Sequence, residues 1–342
     1  MRSLIILLAA LLMLGGAQIA SGCQERSDIY EIVWTGDILL ADAAQPYLDE
    51  HGYTWPFEHV QPLLEGDLVV GNAEGPITER RQPYFERQRW SYNAEPEAAQ
   101  ALAEVGFDAL GLSNNHAYDR GPEGLADTIE HLKAAEIEPF GAGMDGEEAA
   151  APLLVETPYG LVAVLALSEE WSTGAVAGPG QPGTVPFGGG TIARGKELAE
   201  AAGARWTIAY VHWGENYSTV TSKQRRLAAS FAQAGYDLVI GHHPHVQQEV
   251  ELIDGMPVIY SLGNFTFGSE GRFTEEFPGY GLVARTLLGE EGFAGIELAC
   301  ILTDNDFVEY QPQPCDEEQA RAVMEGLGPL VVWQDGIGLV EW

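Results

Sequence analysis

Short apolar runs alternate with stretches of helical period along most of this chain. The runs at residues 29–35, 67–71, 109–113, 161–167, 206–212, 238–241 and 258–262 have the length and composition of buried strands. Between them, apolar positions recur at helical spacing over 96–105, 121–135, 191–202 and 222–234. Strands separated by helices predict a layered α/β architecture with helices packed on the sheet faces. From residue 281 the pattern changes. Residues 283–288 and 295–302 predict antiparallel strands and 316–325 a late helix, so 281–342 is expected to be a C-terminal β/α extension. The Gly/Pro-rich stretch 175–190 predicts an exposed excursion.

Asp, Asn, Glu and His residues fall at the ends of these apolar runs. Asp37 follows the first, Asn72 and Glu74 the second, and Asn114, Asn115 and His116 the third. His212 closes the run that begins at Trp206, and Gly241-His242-His243-Pro244-His245 closes the next. Three of the eight histidines lie in that five-residue stretch. Ligands of open α/β sheets gather at the carboxyl ends of strands, so these ends are expected to converge on one site.

Carboxylate oxygen, amide oxygen and imidazole nitrogen form a mixed donor set suited to Mn, Fe or Zn ions. Such sets hold two divalent cations in many hydrolases, usually tied by a bridging carboxylate. Asp37 and Glu74 are the candidates for that tie, although Asp37 also suits a turn after Gly36 and Glu74 an exposed loop. Asn115 as a metal ligand next to His116 as a general acid places two roles in adjacent positions. His51, His59 and His131 have no partner motif and read as surface or packing residues.

Composition narrows the partners. The chain has 342 residues, 46% of them hydrophobic, and a formal net charge of −34. That leaves no basic surface for nucleic acid or for adhesion to anionic lipid. Residues 1–22 have the form of an export leader: Arg2, an apolar stretch from Leu4 to Leu14, then Ala20-Ser21-Gly22 before Cys23. Small residues directly before a cysteine resemble a lipoprotein cleavage box, which would make Cys23 the lipidated first residue of a membrane-anchored, exported protein. Residues 23–28 then form a linker and 29–342 the folded domain. Cys300 and Cys315 remain, with pairing left open.

Gly36-Asp37, Gly71-Asn72-Ala73-Glu74-Gly75-Pro76, Ser113-Asn114-Asn115-His116-Ala117 with Asp119, His212-Trp213-Gly214-Glu215, residues 241–246 and Ser261-Leu262-Gly263-Asn264-Phe265 together resemble the CapA family of capsule synthesis. That family is tied to poly-γ-glutamate capsule biosynthesis and is similar in fold to calcineurin-like metallophosphatases. The resemblance implies a metallophosphatase-like β-sandwich flanked by helices, with one or two divalent metal ions. It implies Asp37 and His245 at a first metal, Glu74 or Asn72 bridging, and Asn115, His212 and His243 at a second. His116 would be the catalytic acid, and Asn72, Asn114 and Asn264 are expected on the substrate side. Leu39 stands where such enzymes carry a histidine, and Asn72 where they carry a bridging aspartate.

The function implied is metal-assisted hydrolysis or transfer at a phosphoryl or acyl/amide centre. The substrate would be an anionic polymer or a phosphoester, and the partners a membrane-bound synthesis or export machinery. A non-catalytic scaffold of a capsule synthase and a stand-alone periplasmic phosphoesterase are the alternatives.

Overall fold

The computed structural model describes residues 28–169, 175–188 and 190–342. The leader and the proposed lipid-bearing Cys23 lie outside the described residues. Two sheets stack face to face with helices on their outer faces, the layered α/β sandwich that the alternation of elements predicts. The larger sheet runs in the order Val331–Gln334, Ile337–Val340, Gly292–Leu302, Tyr280–Gly289, Tyr30–Leu39, Leu68–Ala73, Ala109–Gly111, Glu138–Phe140. The second runs Val250–Ile253, Met256–Ile259, Leu238–His242, Trp206–His212, Gly160–Ser168, Leu153–Thr157.

Successive side chains of a strand point to opposite faces, and here both faces are apolar. Ile32, Trp34 and Val70 meet Val162, Val164, Ile208 and Tyr210 in the core between the sheets. Val33 and Val69, on the outer face of the first sheet, pack with Leu102 and Leu125 of the helices Glu97–Val105 and Gly121–Ala134. Ala163, Leu165, Ala209 and Val211 face outward from the second sheet onto Ala228 and Phe231 of the helix Ser222–Ala234. That helix opens with a capping box between Thr221 and Gln224 and ends at Gly235 in the left-handed region.

The C-terminal segment is integral to this framework. Tyr280–Gly289 pairs antiparallel with the first strand, Tyr30 opposite Leu288 and Trp34 opposite Ala284. The expected tail extension thus completes the middle of the larger sheet, and Cys300 and Cys315 form a disulfide there. Ala142–Gly143 pairs with Gly183–Thr184, and Ala175, Gly183 and Thr184 are buried. The expected excursion at 175–190 is therefore partly tied down, with its exposed residues near its tip and its C-terminal end. Among the described residues no helix is long and apolar enough to cross a membrane.

One irregularity places the site. The first strand runs on to Leu39, beyond the predicted end at residue 35, and its pairing with Leu68–Ala73 shifts register between Trp34 and Asp37. A Cβ on Gly36 would lie 2.0 Å from the carbonyl oxygen of Gly263. Only glycine lets the two backbones approach here, and the Asp37 N–H donates to that same oxygen at 3.0 Å. The bulge delivers Asp37 to the end of the sheet, where it sits level with Asn72 on one side and Asn264 on the other.

Candidate metal centre

Asn264, Asp37 and Asn72 form one row across the first sheet, and His212 pairs with His242 and Ser168 in the second. His242, His243 and His245 sit at the end of Leu238–His242, and the third strand's exit loop adds Asn114, Asn115 and His116. Parallel strands of both sheets thus bring the polar ends to one place.

Each side chain is held by a neighbour. The Asn72 amide donates to Asp37 Oδ1 at 2.7 Å, and the His243 backbone N–H donates to Asp37 Oδ2 at 3.2 Å. Asn114 donates to Asn72 Oδ1 and to the Ala73 carbonyl. His245 Nδ1 lies 2.9 Å from Asn264 Oδ1, and His212 Nε2 lies 2.6 Å from Asn115 Oδ1. His243 and His245 have φ of 98° and 59°. Non-glycine residues in this region carry strain, of roughly 1–3 kcal/mol each, which is typically tolerated where side-chain placement matters.

Glu74 is the exception. It is fully buried, and no N–H or hydroxyl donor among the described residues bonds its oxygens; its hydrogen-bonding neighbour is the Asp37 carboxyl. His212 Nε2 lies 3.5 Å and His245 Nε2 3.9 Å from its Oε1. Burial, and then the neighbouring Asp37, push the Glu74 carboxyl well above its ordinary pKa. Burial pushes Asp37 up to about 7, opposed by the Asn72 and His243 donors. Burial holds His245 down to about 4, and it and the neighbouring imidazoles hold His212 and His243 well below the usual histidine range. Left to themselves the acids retain protons and the imidazoles refuse them. A divalent cation reverses both costs, because it takes charged carboxylates and neutral imidazole lone pairs together.

The donor set therefore fits a metal. Ligand atoms of Glu74, His243 and His245 lie within 4.8 Å of one another, as do those of Asp37, Glu74 and His212. Glu74 belongs to both groups, which favours it over Asn72 for a bridging position. The groups join His243 with His245, and His212 with Asp37, whereas the resemblance divides these histidines the other way. Leu39 packs in the outer core and supplies nothing in place of the imidazole.

Asn72, Asn114 and Asn264, expected on the substrate side, have their amides engaged within the centre, beside the equally buried ligand candidates Asp37, Glu74 and His212. Each is buried, and none lines the cleft in front of the centre. His242 also stays out of the donor set. Its ring nitrogens face the Val211 and Thr35 carbonyls between the sheets, and burial lowers its pKa to about 4.

The cleft measures about 870 Å³ and is lined by Asn115, His116, His243 and His245 at its base. His116 Nδ1 lies 2.8 Å from Asp119 Oδ2, an orienting partner to which the sequence reading gave no role. The spacing of three residues from His116 was the available signal. Arg89, Trp90, Tyr217 and Arg272, also on the cleft wall, come from polar loops that carry no periodic signal.

Known proteins have sequences similar to this one. The family model described as bacterial capsule synthesis protein PGA_cap matches residues 31–269, which span every strand end of the centre. The capsule biosynthesis protein CapA of Bacillus anthracis is 29% identical over 77% of this chain and 66% of its own length. The PGA biosynthesis protein CapA of Bacillus subtilis is 27% identical over 77% and 70%. The chain thus spans about two thirds of the length of these relatives. Among solved structures, a hypothetical protein from Thermus thermophilus gives a TM-score of 0.48 at 17% identity, covering 79% of this chain and 98% of its own. The NAD nucleotidase of Haemophilus influenzae gives 0.39 at 11% identity, covering 84% and 49%. With the family match extending over well over half of its residues, the chain belongs to the bacterial capsule synthesis family PGA_cap.

Proposed function

We propose that this protein is an exported, lipid-anchored, metal-dependent hydrolase or transferase of capsule or poly-glutamate-type exopolymer biosynthesis. The observation that carries the catalytic part is the fully buried Glu74 carboxyl, bonded by no N–H or O–H donor among the described residues and set beside His245, which lines an open cleft. A structural polar network would have satisfied those oxygens, since a buried unpaired acceptor costs about 1–3 kcal/mol.

Asp37, Glu74, His212, His243 and His245, with Asn115 beside His212, would hold the cation. Bound there, it supplies Lewis acidity toward a phosphoryl or acyl oxygen and activates water near neutral pH. Asn72 and Asn264 fix the Asp37 and His245 side chains, and Asn114 fixes Asn72. Asp119 accepts from His116 Nδ1, which leaves Nε2 to deliver a proton to the departing group. The Cys300–Cys315 disulfide supports an oxidising compartment, in keeping with the leader that ends before Cys23.

The test pairs turnover with polymer output. Purified full chain supplied with Mn²⁺ should cleave a phosphoester or a γ-glutamyl amide. Cells carrying His116→Ala should then lose both this activity and their polymer. Normal polymer output from that variant would mean that the cell uses the protein as a scaffold.

A further inference from the structure

In a chain with 51 acidic and 17 basic residues, six of the twelve arginines among the described residues form an ion pair with a carboxylate. Arg81 pairs with Glu95, Arg225 with Glu249 and Glu251, and Arg285 with Glu31. Arg89 and Arg272 do not follow this pattern. Both face the cleft in front of the metal centre, and neither forms an ion pair among the described residues, although Asp42 and Glu270 line the same cleft. They lie against aromatic rings instead. Arg89 sits 4.5 Å and Arg272 5.0 Å from the centroid of Trp90, and Arg272 lies 4.7 Å from that of Tyr217.

Two guanidiniums held within 5.0 Å of one indole centroid put two positive charges on the same cleft wall. An anion in the cleft beside them offsets that charge and uses guanidinium donors beyond those that Arg272 offers Tyr217. The aromatic stacking keeps both guanidiniums in place before the anion arrives, which reduces the entropy lost on binding.

The loops bearing these residues are tied to the catalytic groups on both sides. Gln88 and the Tyr92 backbone N–H both donate to Asp119, which holds His116, and the Tyr92 ring lies 4.4 Å from that of His116. Arg89 and Trp90 sit between those two anchors. On the other wall, the Tyr217 N–H donates to the Pro244 carbonyl at 2.8 Å, between His243 and His245. A group bound at the arginines is therefore held in register with the proton donor and with the ligand loop.

We infer that Arg89, Trp90, Tyr217 and Arg272 form an anion subsite that receives a carboxylate of a multiply charged chain, away from the bond that reacts. The inference rests on the catalytic reading of the centre and names what that centre's substrate must carry. A cleft of about 870 Å³ has room for several residues of such a chain beyond the reacting group.

The experiment is calorimetric titration of the Mn²⁺-supplied full chain with a short γ-linked glutamate oligomer and, separately, with inorganic phosphate. Arg89→Gln and Arg272→Gln should each weaken oligomer binding about ten-fold or more and flatten its salt dependence, because each removes a charge-assisted contact. Phosphate affinity and metal content should stay as in the wild type. Equal oligomer affinity in wild type and both variants overturns the subsite, as does failure of the wild type to bind the oligomer. A parallel loss of phosphate affinity also overturns it, because the arginines would then serve a phosphoryl group at the centre. Metal content scores the catalytic reading separately: a wild type without metal, whose oligomer affinity still depends on Arg272, would sink that reading and uphold the subsite.

Discussion

His116 Nδ1 lies 2.8 Å from Asp119 Oδ2, and this contact decides which ring nitrogen is left for the cleft. Asp119 is itself held by Gln88 and by the Tyr92 N–H, so the imidazole has little freedom to turn. His116→Ala should lower kcat by about 10²–10⁴-fold. Asp119→Asn should cost less, about 10–100-fold, as orienting partners commonly do. Both variants should keep wild-type metal content by elemental analysis. Loss of metal in His116→Ala would make this histidine a ligand and not the acid.

Glu74 bears a cost that a neutral isostere removes. Its folded pKa is raised, so its contribution is fully present below the unfolded carboxylate value and is lost as pH rises. Glu74→Gln should therefore stabilise the metal-free protein at pH 8 by about 1–3 kcal/mol, with the gain disappearing near pH 4. The same substitution should abolish stabilisation by added Mn²⁺. Denaturant melts with and without a chelator check both. A metal-free variant less stable than metal-free wild type at pH 8 would show that Glu74 has a structural partner.

The pH dependence of metal binding follows from Asp37. It holds its proton up to about 7, whereas the ligand imidazoles, with folded pKa values pushed down, are already neutral well below that. The cation must displace the Asp37 proton at low pH and need not do so at high pH. The Mn²⁺-induced rise in Tm should grow from pH 5 to pH 8, as the raised carboxyls of Asp37 and Glu74 lose their protons. A rise that is constant across this range would remove Asp37 from the ligand set.

Much of the sandwich was legible because its strands are buried on both faces. Runs such as 161–167 and 206–212 are continuous enough to find without help from periodicity, and both formed strands within a residue of their expected ends. Edge strands were not found. Leu153–Thr157 and Val250–Ile253 alternate buried and exposed positions over only four or five residues, too short for a clear period. Asn264–Phe267 is a strand only because the bulge at Gly36 lets the Gly263 backbone come close, a tertiary condition with no local signature. In the centre, ligand-type side chains at strand ends were visible, but the direction of a side chain was not. Asn72 and Asn114 look like ligands or substrate contacts in sequence, and their amides proved to be turned toward Asp37 and one another.

Membrane attachment has its own test. A multiply acylated Cys23 would hold the protein firmly at the membrane, whereas a single acyl chain binds only marginally. Cys23→Ser should move the protein from the membrane fraction to the soluble fraction and change its electrophoretic mobility. Unchanged retention and mobility would remove the lipid anchor from the account.

The central claim is that the Asp37, Glu74, His212, His243 and His245 cluster is a divalent metal site. Elemental analysis of the purified full chain, beside His243→Ala and His245→Ala, tests it most directly. The account predicts one or two equivalents of Mn, Fe or Zn in the wild type and clearly less in each variant, with affinity falling as pH drops below about 7, where Asp37 takes up its proton. Wild-type protein without bound transition metal, whose Tm ignores added Mn²⁺, would contradict it, as would variants that keep the full metal complement.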